Sequence, residues 1–393
     1  MKCETPAFAS VSSREPAPIQ KPSATERTLG TRSEMTRPPE SSSERTYFCT
    51  PALSWPGAMD GDPRMSCWAP GRVNIIGEHT DYSGGLVLPI AIDRGIELEF
   101  DPGPRIELAS NGDAIQLEAD GRGDTSGGWG RYAAAVALEL AALGRPAVGI
   151  AGTLGSDLPQ GAGLGSSGAL EVVVALALCA AGEFEIEPLQ LALACQRAER
   201  RAVGVPSGIL DQAASLLGRE GHALLLDCGS LEYRTLAVPE ALAVVVIDSG
   251  ERHSHEGSGY ADRRRELESG DPRRVRHVRT ENERVRETVN ALERGDLEAL
   301  GPLFAASHAS LRDNYEVSTP TLDRVVEAAL AAGAIGARMT GGGFGGSVVV
   351  VAARENAESV LRGTLEQAGT QGWVVRPASG AARGRTYSPR DRA

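Results

Sequence analysis

A short glycine-rich segment followed at once by an apolar run constrains this chain more than any other feature. Residues 161–168 read GAGLGSSG, and ALEVVVALALCAAG follows them. Glycine permits close approach to the backbone because it has no Cβ, and a helix behind the segment would aim the positive end of its dipole at it. Such a junction is typical of an anion site, most often a phosphate site. The apolar run predicts a helix buried on most sides, because Glu171 is its only charged residue.

The same segment has a simpler interpretation as a tight turn whose serines cap the helix. Ser166 and Ser167 could act as caps, or they could contact a phosphate or a metal. The loop alone leaves both interpretations open, and the buried helix behind it favours the anion site.

Composition restricts the classes of protein to consider. The length of 393 residues suits two packed domains. A formal charge of −12 argues against nucleic acid or an anionic membrane as the main partner. No apolar stretch approaches the ~20 residues that span a bilayer. The six cysteines form no CxxC pair, which favours reduced thiols in a cytoplasm over a disulfide framework or a zinc site.

Lysine occurs only at positions 2 and 21. A Walker-type nucleotidase or a protein kinase places a lysine on its phosphates. Either this chain does not transfer phosphoryl groups, or arginine, magnesium and backbone amides do that work.

The pattern along the chain predicts two α+β domains joined near residue 240. Residues 1–62 are rich in Ser, Pro, Thr, Glu and Arg without apolar periodicity, and we predict that they are disordered. They are either a real extension or a start-site artefact, since Met59 and Met65 lie just before the first strong motif. A strand and loop are predicted in 68–79, and a glycine turn leading into a buried strand in 339–352. Further strands are predicted in 86–92, 96–100, 148–159, 222–228, 241–250 and 372–376. Helices are predicted in 127–144, 169–181, 188–204, 321–332 and 355–368, with a long charged helical section over about 260–300.

The segment GRVNIIGEHTDYSGG, residues 71–85, concentrates polar side chains between glycines. Polar groups this dense in a loop suit a binding site. Glu78, His79 and Asp81 could hold several hydroxyls of a sugar. A zinc site is less favoured because the cluster has one histidine and no cysteine. A solvated turn stabilised by Asp81 is the alternative.

A second candidate is Asp211 in VGVPSGILDQ, residues 203–212. Its carboxylate is either a helix cap or a base in a partly dry pocket, with an arginine nearby to control its ionisation. Glu199 lies on the preceding helix among arginines, where surface salt bridging is the default. His253 and His255 form a lone HxH, which favours a loop over a metal site.

Three motifs together carry a specific resemblance. GRVNIIGEHTDY, LPQGAGLGSSGALEV and MTGGGFGGS, in this order and spacing, resemble the motifs of the GHMP small-molecule kinases, and the first resembles the galactokinase signature. VGVPSGILDQ, DSGERHSHEGSGYADRRREL, VRHVRTENERV and SHASLRDNYEVSTPTLD are also galactokinase-like, so the resemblance covers about residues 66–380.

The resemblance implies an α+β fold with a mixed-sheet N-terminal domain, residues 63–240, and a ferredoxin-like C-terminal domain, residues 241–382. A flexible tail, residues 383–393, would follow. The implied activity is transfer of the γ-phosphoryl group of ATP to the anomeric hydroxyl of galactose. Positioning and charge stabilisation supply most of the catalysis in phosphoryl transfer, so a lysine-free core is chemically sufficient.

Matched residue by residue, the resemblance implies that Asp211 is the base and that Arg72 stabilises charge and keeps Asp211 ionised. Mg²⁺ would be held by Ser167 and Glu199. The sugar would be bound by Glu78, His79, Thr80, Asp81 and Tyr260. The phosphates of ATP would be bound by Gly161, Ala162, Gly163, Leu164, Gly165, Ser166 and Ser167.

This chain departs from the family pattern in its glycine loop and in its third motif. Gly165 replaces the first of three serines and Gly168 replaces an alanine, so we expect a looser loop and reduced nucleotide affinity. Ser347 stands where a cysteine is common, a small polar exchange that we expect to be tolerated.

Three functions remain open at this point. They are an active galactokinase, a GHMP kinase for another sugar, and a non-catalytic galactose sensor. The expected partners are galactose and ATP, without nucleic acid or membrane, in a cytoplasmic monomer or weak homo-oligomer.

Overall fold

A computed structural model describes residues 65–125, 128–159, 161–204, 207–252 and 259–384. The predicted disordered segment 1–62 and the pair His253 and His255 lie outside the described residues, as does the predicted tail after Gly384.

Strands and helices alternate irregularly along the described residues. The strands are β1 (Met65–Asn74), β2 (Leu86–Val87), β3 (Pro89–Gly103), β4 (Arg105–Ser110), β5 (Asp113–Glu118), β6 (Gly149–Ser156), β7 (His222–Asp227), β8 (Tyr233–Ala237), β9 (Leu242–Asp248), β10 (Gly336–Thr340), β11 (Ser347–Ala353), β12 (Gln371–Val375) and β13 (Ala382–Arg383). The α-helices are α1 (Gly130–Ala142), α2 (Ser166–Ala181), α3 (Pro188–Val203), α4 (Leu210–Leu217), α5 (Tyr260–Glu268), α6 (Pro272–Arg294), α7 (Leu300–Ser310), α8 (Pro320–Ala331) and α9 (Ala357–Gln367).

Five strands from the first half of the described chain and the C-terminal strand β13 form a mixed sheet with the order β13-β1-β3-β6-β4-β5. Strand β4 runs parallel to β6, whereas β1, β3 and β6 pair antiparallel. Helix α2 packs on β1 and β3, and α1, α3 and α4 surround it. The apolar run therefore forms a central helix, as its composition predicts, because every face of it meets another element.

The second half contains an antiparallel sheet with the order β10-β11-β9-β12. Counted from β9, this is the strand order 2-3-1-4 of a ferredoxin-like sheet, with α8 and α9 packed on it. A smaller sheet, β2-β7-β8, lies beside the first. The predicted boundary near residue 240 falls between β8 and β9.

Most of the predicted elements are present, and the differences have local causes. The hairpin β4–β5 was not predicted, although its Asn111-Gly112 turn, with φ of 50° and 84°, carries the usual Asn-Gly hairpin signal. Strand β8 and helices α4 and α7 were also not predicted as such. The predicted helical section over 260–300 is present as α5 and α6, followed by the start of α7. It is interrupted between α5 and α6, where Gly270 has φ 83° and Asp271 caps the backbone N–H groups of Arg273 and Arg274.

Within the described ranges, none of the helices combines the length and apolar character needed to cross a membrane.

Strand β13 pairs with β1 and includes Arg383, the first residue of the predicted tail.

Candidate active site

Arg72 and Asp211 form a two-point ion pair between β1 and α4. Arg72 Nε lies 2.7 Å from Asp211 Oδ1, and Arg72 Nη2 lies 2.8 Å from Oδ2. The pairing of β1 with β3 shifts register between Pro70 and Arg72, an irregularity of the kind that redirects a side chain. Asp211 lies in the first turn of α4. The side chains are 11% and 22% exposed, so the pair is partly desolvated but reachable by a ligand.

The glycine-rich segment adopts backbone conformations that favour glycine. Gly161, Gly163 and Gly165 have φ of 71°, 72° and 74°, in the left-handed region. Gly165 is the N-cap of α2, so the helix begins at Ser166 and its dipole points at the segment. The predicted junction of a glycine loop and a helix N-terminus is therefore present.

Three consecutive carbonyl oxygens of this loop accept hydrogen bonds from outside it. Arg72 donates from Nη1 to Gly163 O at 2.5 Å and from its backbone N–H to Leu164 O at 2.9 Å. Ser347 Oγ donates to Ala162 O at 2.6 Å. The C=O and N–H of a trans peptide point in opposite directions, and the described residues contain no cis peptide bond. The N–H groups that follow these carbonyls therefore face the other way, in the manner of a phosphate-binding nest.

The two unusual glycines of the loop lie against the ion pair. A Cβ on Gly165 would lie 3.1 Å from Arg72 Cγ and 3.4 Å from Asp211 Oδ2. A Cβ on Gly168 would lie 2.8 Å from Asp211 Cβ. The structure thus supplies a steric reason for glycine at both positions, and at position 165 this strain opposes the gain in nucleotide affinity that a serine hydroxyl would be expected to bring.

Ser167 and Glu199 meet beside the N-terminus of α2. Ser167 Oγ donates to Glu199 Oε1 at 3.2 Å. Burial raises the pKa of Glu199, and the negative charge of Asp211 raises it further. Mg²⁺ takes oxygen ligands and usually uses one or two from the protein, the rest from phosphates and water. Ser167 Oγ and Glu199 Oε1 are oxygen atoms of the kind that Mg²⁺ takes as ligands. Among the described residues, no group of three or more His, Cys, Asp or Glu could hold a metal ion.

Glu78 is buried in a polar network that joins the first motif to the third. Its Oε1 accepts from Thr340 Oγ1 at 2.7 Å and from the backbone N–H of Gly341 at 3.0 Å. Its Oε2 accepts from Asn74 Nδ2 at 2.8 Å and from the guanidinium of Arg338. A carboxylate offers about four acceptor positions. A sugar contact from Glu78 would therefore have to replace one of these bonds.

Thr80 and His79 occupy the turn after Glu78. Thr80 is fully buried and its Oγ1 faces the carbonyl oxygens of Gly77 and Leu86, so it closes the loop on itself. His79 has φ 61° and its Nδ1 lies 2.9 Å from Tyr82 Oη. Burial lowers the pKa of His79 to about 3, with a further contribution from His277. His79 is therefore neutral near pH 7.

Asp81 and Tyr260 both interact electrostatically with Asp211. Burial raises the pKa of Asp81 to about 6, and repulsion from Asp211 adds to this. A Cβ on Gly208 would lie 1.6 Å from Asp81 Oδ2, so only glycine fits beside this carboxylate. The Tyr260 ring lies 5.6 Å from the ring of His79. Burial, followed by the charge of Asp81, raises the pKa of Tyr260. Of the predicted sugar residues, Asp81 and Tyr260 thus lie near Asp211, and His79 lies beside Tyr260.

Sequence reasoning missed several residues that hold this site together. Arg338 is fully buried and ties Glu78 to the backbone at the end of β1, through Asn74 O and the following Ile75 O. Gln212, also fully buried, contacts Glu199. The sequence carried a signal for both, because each is a long polar side chain in a short strand or helix that is mostly apolar.

Models of known families match three parts of the chain. The galactokinase galactose-binding signature matches residues 59–100. The N-terminal domain of GHMP kinases matches residues 131–219, and their C-terminal domain matches residues 288–368.

The sequence is also similar to named proteins over most of its length. The galactokinase of Thermococcus kodakarensis is 39% identical over 329 residues, which is 77% of this chain and 93% of that protein. The galactokinase of Streptomyces coelicolor is 40% identical over 332 residues, which is 75% of this chain and 86% of that protein.

Solved structures share the fold. Galactokinase from Lactococcus lactis, crystallised with galactose, is 29% identical with a TM-score of 0.75, and the match covers 82% of this chain and 96% of that one. Mevalonate kinase from Methanococcus jannaschii is 20% identical with a TM-score of 0.67 over 82% of this chain and 100% of that one. The expected two-domain GHMP kinase fold is confirmed.

Proposed function

This chain belongs to the galactokinases of the GHMP kinase family, and from that membership we propose that its site transfers the γ-phosphoryl group of ATP to the C1 hydroxyl of galactose. The products are galactose 1-phosphate and ADP. The observation that carries the proposal is the Arg72–Asp211 ion pair beside the nest of N–H groups at the start of α2. A candidate base and a phosphate site are adjacent there.

Asp211 acts as the base in this proposal. It takes the proton of the C1 hydroxyl as that oxygen bonds to the γ-phosphorus, while the bond from phosphorus to the β-phosphate oxygen breaks and ADP leaves. Arg72 holds both carboxylate oxygens of Asp211 and so fixes their direction. Because the transition state of phosphoryl transfer is loose, alignment of the two reactants contributes more than the strength of the base.

The sugar lies between Asp211 and the cluster of Asp81, His79 and Tyr260. Directional hydrogen bonds to several hydroxyls reject analogues that leave a buried polar group unpaired. We retain Glu78 and Thr80 as part of the proposed sugar site. Their contacts with Arg338, Thr340 and the backbone favour a role in holding the loop that carries His79 and Asp81.

The phosphates of ATP lie along residues 161–167, where the N–H nest and the dipole of α2 attract negative charge. Ser167 and Glu199 would hold Mg²⁺. When bound, the ion neutralises charge on the phosphate oxygens. The residues of the chain bind and orient the nucleotide and keep its γ-phosphate in line with Asp211.

A coupled assay of ADP release across a panel of sugars tests the proposal. Galactose should be used far faster than glucose, which differs only at the 4-hydroxyl. A kinase for another sugar would show its highest kcat/KM on an arabinose, a uronic acid or an N-acetylated hexosamine. A sensor would bind galactose, as measured by calorimetry, without releasing ADP. The galactose-binding signature over 59–100 disfavours the first alternative, and the Arg72–Asp211 pair disfavours the second.

We also propose the domain boundaries, the compartment and the oligomeric state that the sequence predicts. The domains are 63–240 and 241–382, and the enzyme is a cytoplasmic monomer or weak homo-oligomer. Cys67, Cys179, Cys195 and Cys228 are free thiols, which supports a reducing compartment. Sedimentation of the purified enzyme would test the oligomeric state.

A further inference from the structure

A buried polar cluster lies behind the proposed metal site, between α2, α3 and α4. It consists of Glu171 on α2 and Gln212 on α4, both 0% exposed, and it borders Glu199 on α3. Neither Glu171 nor Gln212 has a role in the function proposed above. Buried polar side chains are costly unless they are hydrogen-bonded, so their contacts are informative.

Gln212 bridges two carboxyl groups through one nitrogen. Its Nε2 donates to Glu171 Oε2 at 2.8 Å and to Glu199 Oε2 at 3.1 Å. A side-chain amide has two N–H groups, so it can serve both acceptors at once. The other oxygen of Glu199, Oε1, accepts from Ser167 Oγ. Gln212 therefore anchors one oxygen of Glu199 and leaves the other facing the serine.

Glu171 is in a place that favours a neutral carboxylic acid. Its burial and the charges of Glu199 and Asp211 raise its pKa well above the usual range of a glutamate. Burial raises the pKa of Cys195 and of Tyr132, and Glu171 contributes further to both, so these two residues are its other titratable neighbours. None of these neighbours supplies a positive charge to offset a carboxylate, and an uncompensated buried charge is expensive.

Two orphaned atoms fit a neutral Glu171. An ionised Glu171 can only accept hydrogen bonds. In that state its Oε1 and the Oε1 of Gln212 are both buried without a hydrogen-bond partner. A protonated Glu171 carries an O–H donor, and the amide oxygen of Gln212 is an acceptor on the same partner residue. The acid and the amide can then bond in both directions.

We propose that Gln212 is a positioning residue that orients Glu199 towards Mg²⁺, and that Glu171 anchors Gln212 as a neutral acid through a two-way acid–amide pair. The inference rests on the proposed function, because it takes Glu199 as the metal ligand. In this proposal the first turn of α4 acts on both substrates. Asp211 accepts the proton of the sugar hydroxyl, and Gln212, the next residue, positions the metal ligand Glu199.

Three variants separate this role from a general loss of stability. Gln212→Met keeps the length of the side chain and removes the amide. Glu171→Leu removes the anchor of Gln212. Glu171→Gln is the conservative variant, because a second amide can bond in both directions as a neutral acid does. Thr364→Val is the control, since it removes a buried hydroxyl bond, from Thr364 Oγ1 to Val360 O, on the distant helix α9.

The readout is the binding of Mn²⁺ to the full-length enzyme with a non-hydrolysable ATP analogue, followed by electron paramagnetic resonance. Removing a residue that supports a metal ligand typically costs about 10-fold to 100-fold in affinity. Gln212→Met and Glu171→Leu should weaken Mn²⁺ binding by at least about 10-fold. Both should raise the KM for Mg-ATP and leave the affinity for galactose within about twofold of the parent, a change too small to signal a lost contact.

Glu171→Gln should retain the Mn²⁺ affinity of the parent, and so should Thr364→Val. The inference is overturned if Gln212→Met binds Mn²⁺ normally, or if Glu171→Gln is as damaging as Glu171→Leu. Glu199→Ala separates the assignment of Glu199 as a metal ligand from the positioning role of Gln212. If it leaves Mn²⁺ binding intact, the metal assignment fails together with the positioning role. If it weakens binding while Gln212→Met does not, only the positioning role fails.

Discussion

Ser347 Oγ donates a 2.6 Å hydrogen bond to the carbonyl oxygen of Ala162, and thereby connects the third motif to the glycine loop. Ser347 is fully buried at the start of β11. The carbonyl that it holds precedes the two that Arg72 holds, so three successive peptide groups of the loop are oriented from outside. Ser347, the departure from the family pattern in the third motif, therefore helps to orient the loop that forms the proposed phosphate site.

Ser347→Ala should weaken ATP binding more than galactose binding. It leaves Ala162 O buried without its donor, which costs about 1–3 kcal/mol. If half of this cost appears in nucleotide binding, the KM for ATP rises by about twofold to about 13-fold. The KM for ATP of Ser347→Cys should lie between those of the parent and of Ser347→Ala, because a thiol is a weaker hydrogen-bond donor than a hydroxyl. Steady-state kinetics with each substrate varied would measure this, and an equal rise in both KM values would contradict it.

Asp211→Asn should lower kcat by about 10²-fold to 10⁴-fold, the usual contribution of a general base. Its size and shape are unchanged, so galactose should still bind, as calorimetry would measure. Asp271→Asn is a suitable control, because Asp271 caps α6 away from the site and asparagine is also a good cap. Near-normal turnover in Asp211→Asn would make Asp211 a structural residue.

The activity on galactose should fall as the pH is lowered through about 6. Burial and Asp211 raise the pKa of Asp81 from 3.8 to about 6 in the folded protein. Below that pH the carboxyl becomes protonated and accepts sugar hydroxyls less well. The profile of kcat/KM for galactose at saturating ATP should show this step, and the step should be absent from Asp81→Asn. A flat profile in the parent between pH 5 and 7 would argue against a sugar contact from Asp81.

Asp81→Asn should also stabilise the fold above pH 6 while reducing activity. A raised carboxyl pKa means that the folded state binds the proton more tightly than the unfolded chain does. The contribution of Asp81 to stability is therefore present at low pH and is lost as the pH rises through about 6. The loss amounts to at most about 3 kcal/mol at neutral pH. Thermal denaturation of both proteins at pH 5 and pH 8 would compare them, and a larger gain at pH 5 would contradict the assignment.

Gly165→Ser should weaken ATP binding although it restores the serine of the family pattern. A non-glycine residue at φ 74° costs about 1–2 kcal/mol, and its Cβ would lie 3.1 Å from Arg72 Cγ. One regained hydroxyl bond offers about 1 kcal/mol. Gly155→Ser is the matched control, because Gly155 lacks positive φ and a Cβ there would meet nothing within 4 Å. A lower KM for ATP in Gly165→Ser would show that the hydroxyl outweighs the strain.

Local signals in the sequence determined the elements and the residue types of the site. The apolar run after Gly165 predicts α2, and Pro188 with Gly204 bounds α3, because helix burial and termination depend on neighbouring residues. The three motifs, in their order and spacing, indicated the family. The β4–β5 hairpin was not predicted, but its Asn111-Gly112 turn is also a local sequence signal.

Tertiary structure alone decided which polar groups meet. Arg72 and Asp211 are 139 positions apart, and Glu78 and Thr340 are 262 apart, and no periodicity relates such distant residues. The same carboxylate chemistry then serves different purposes. Glu78 is occupied by four donors, Asp81 is left near a second carboxylate, and Glu171 is buried without a cation. The sequence supplies the carboxyl groups, but burial and neighbouring charge, which exist only after folding, determine which of them hold the structure and which can act on a substrate.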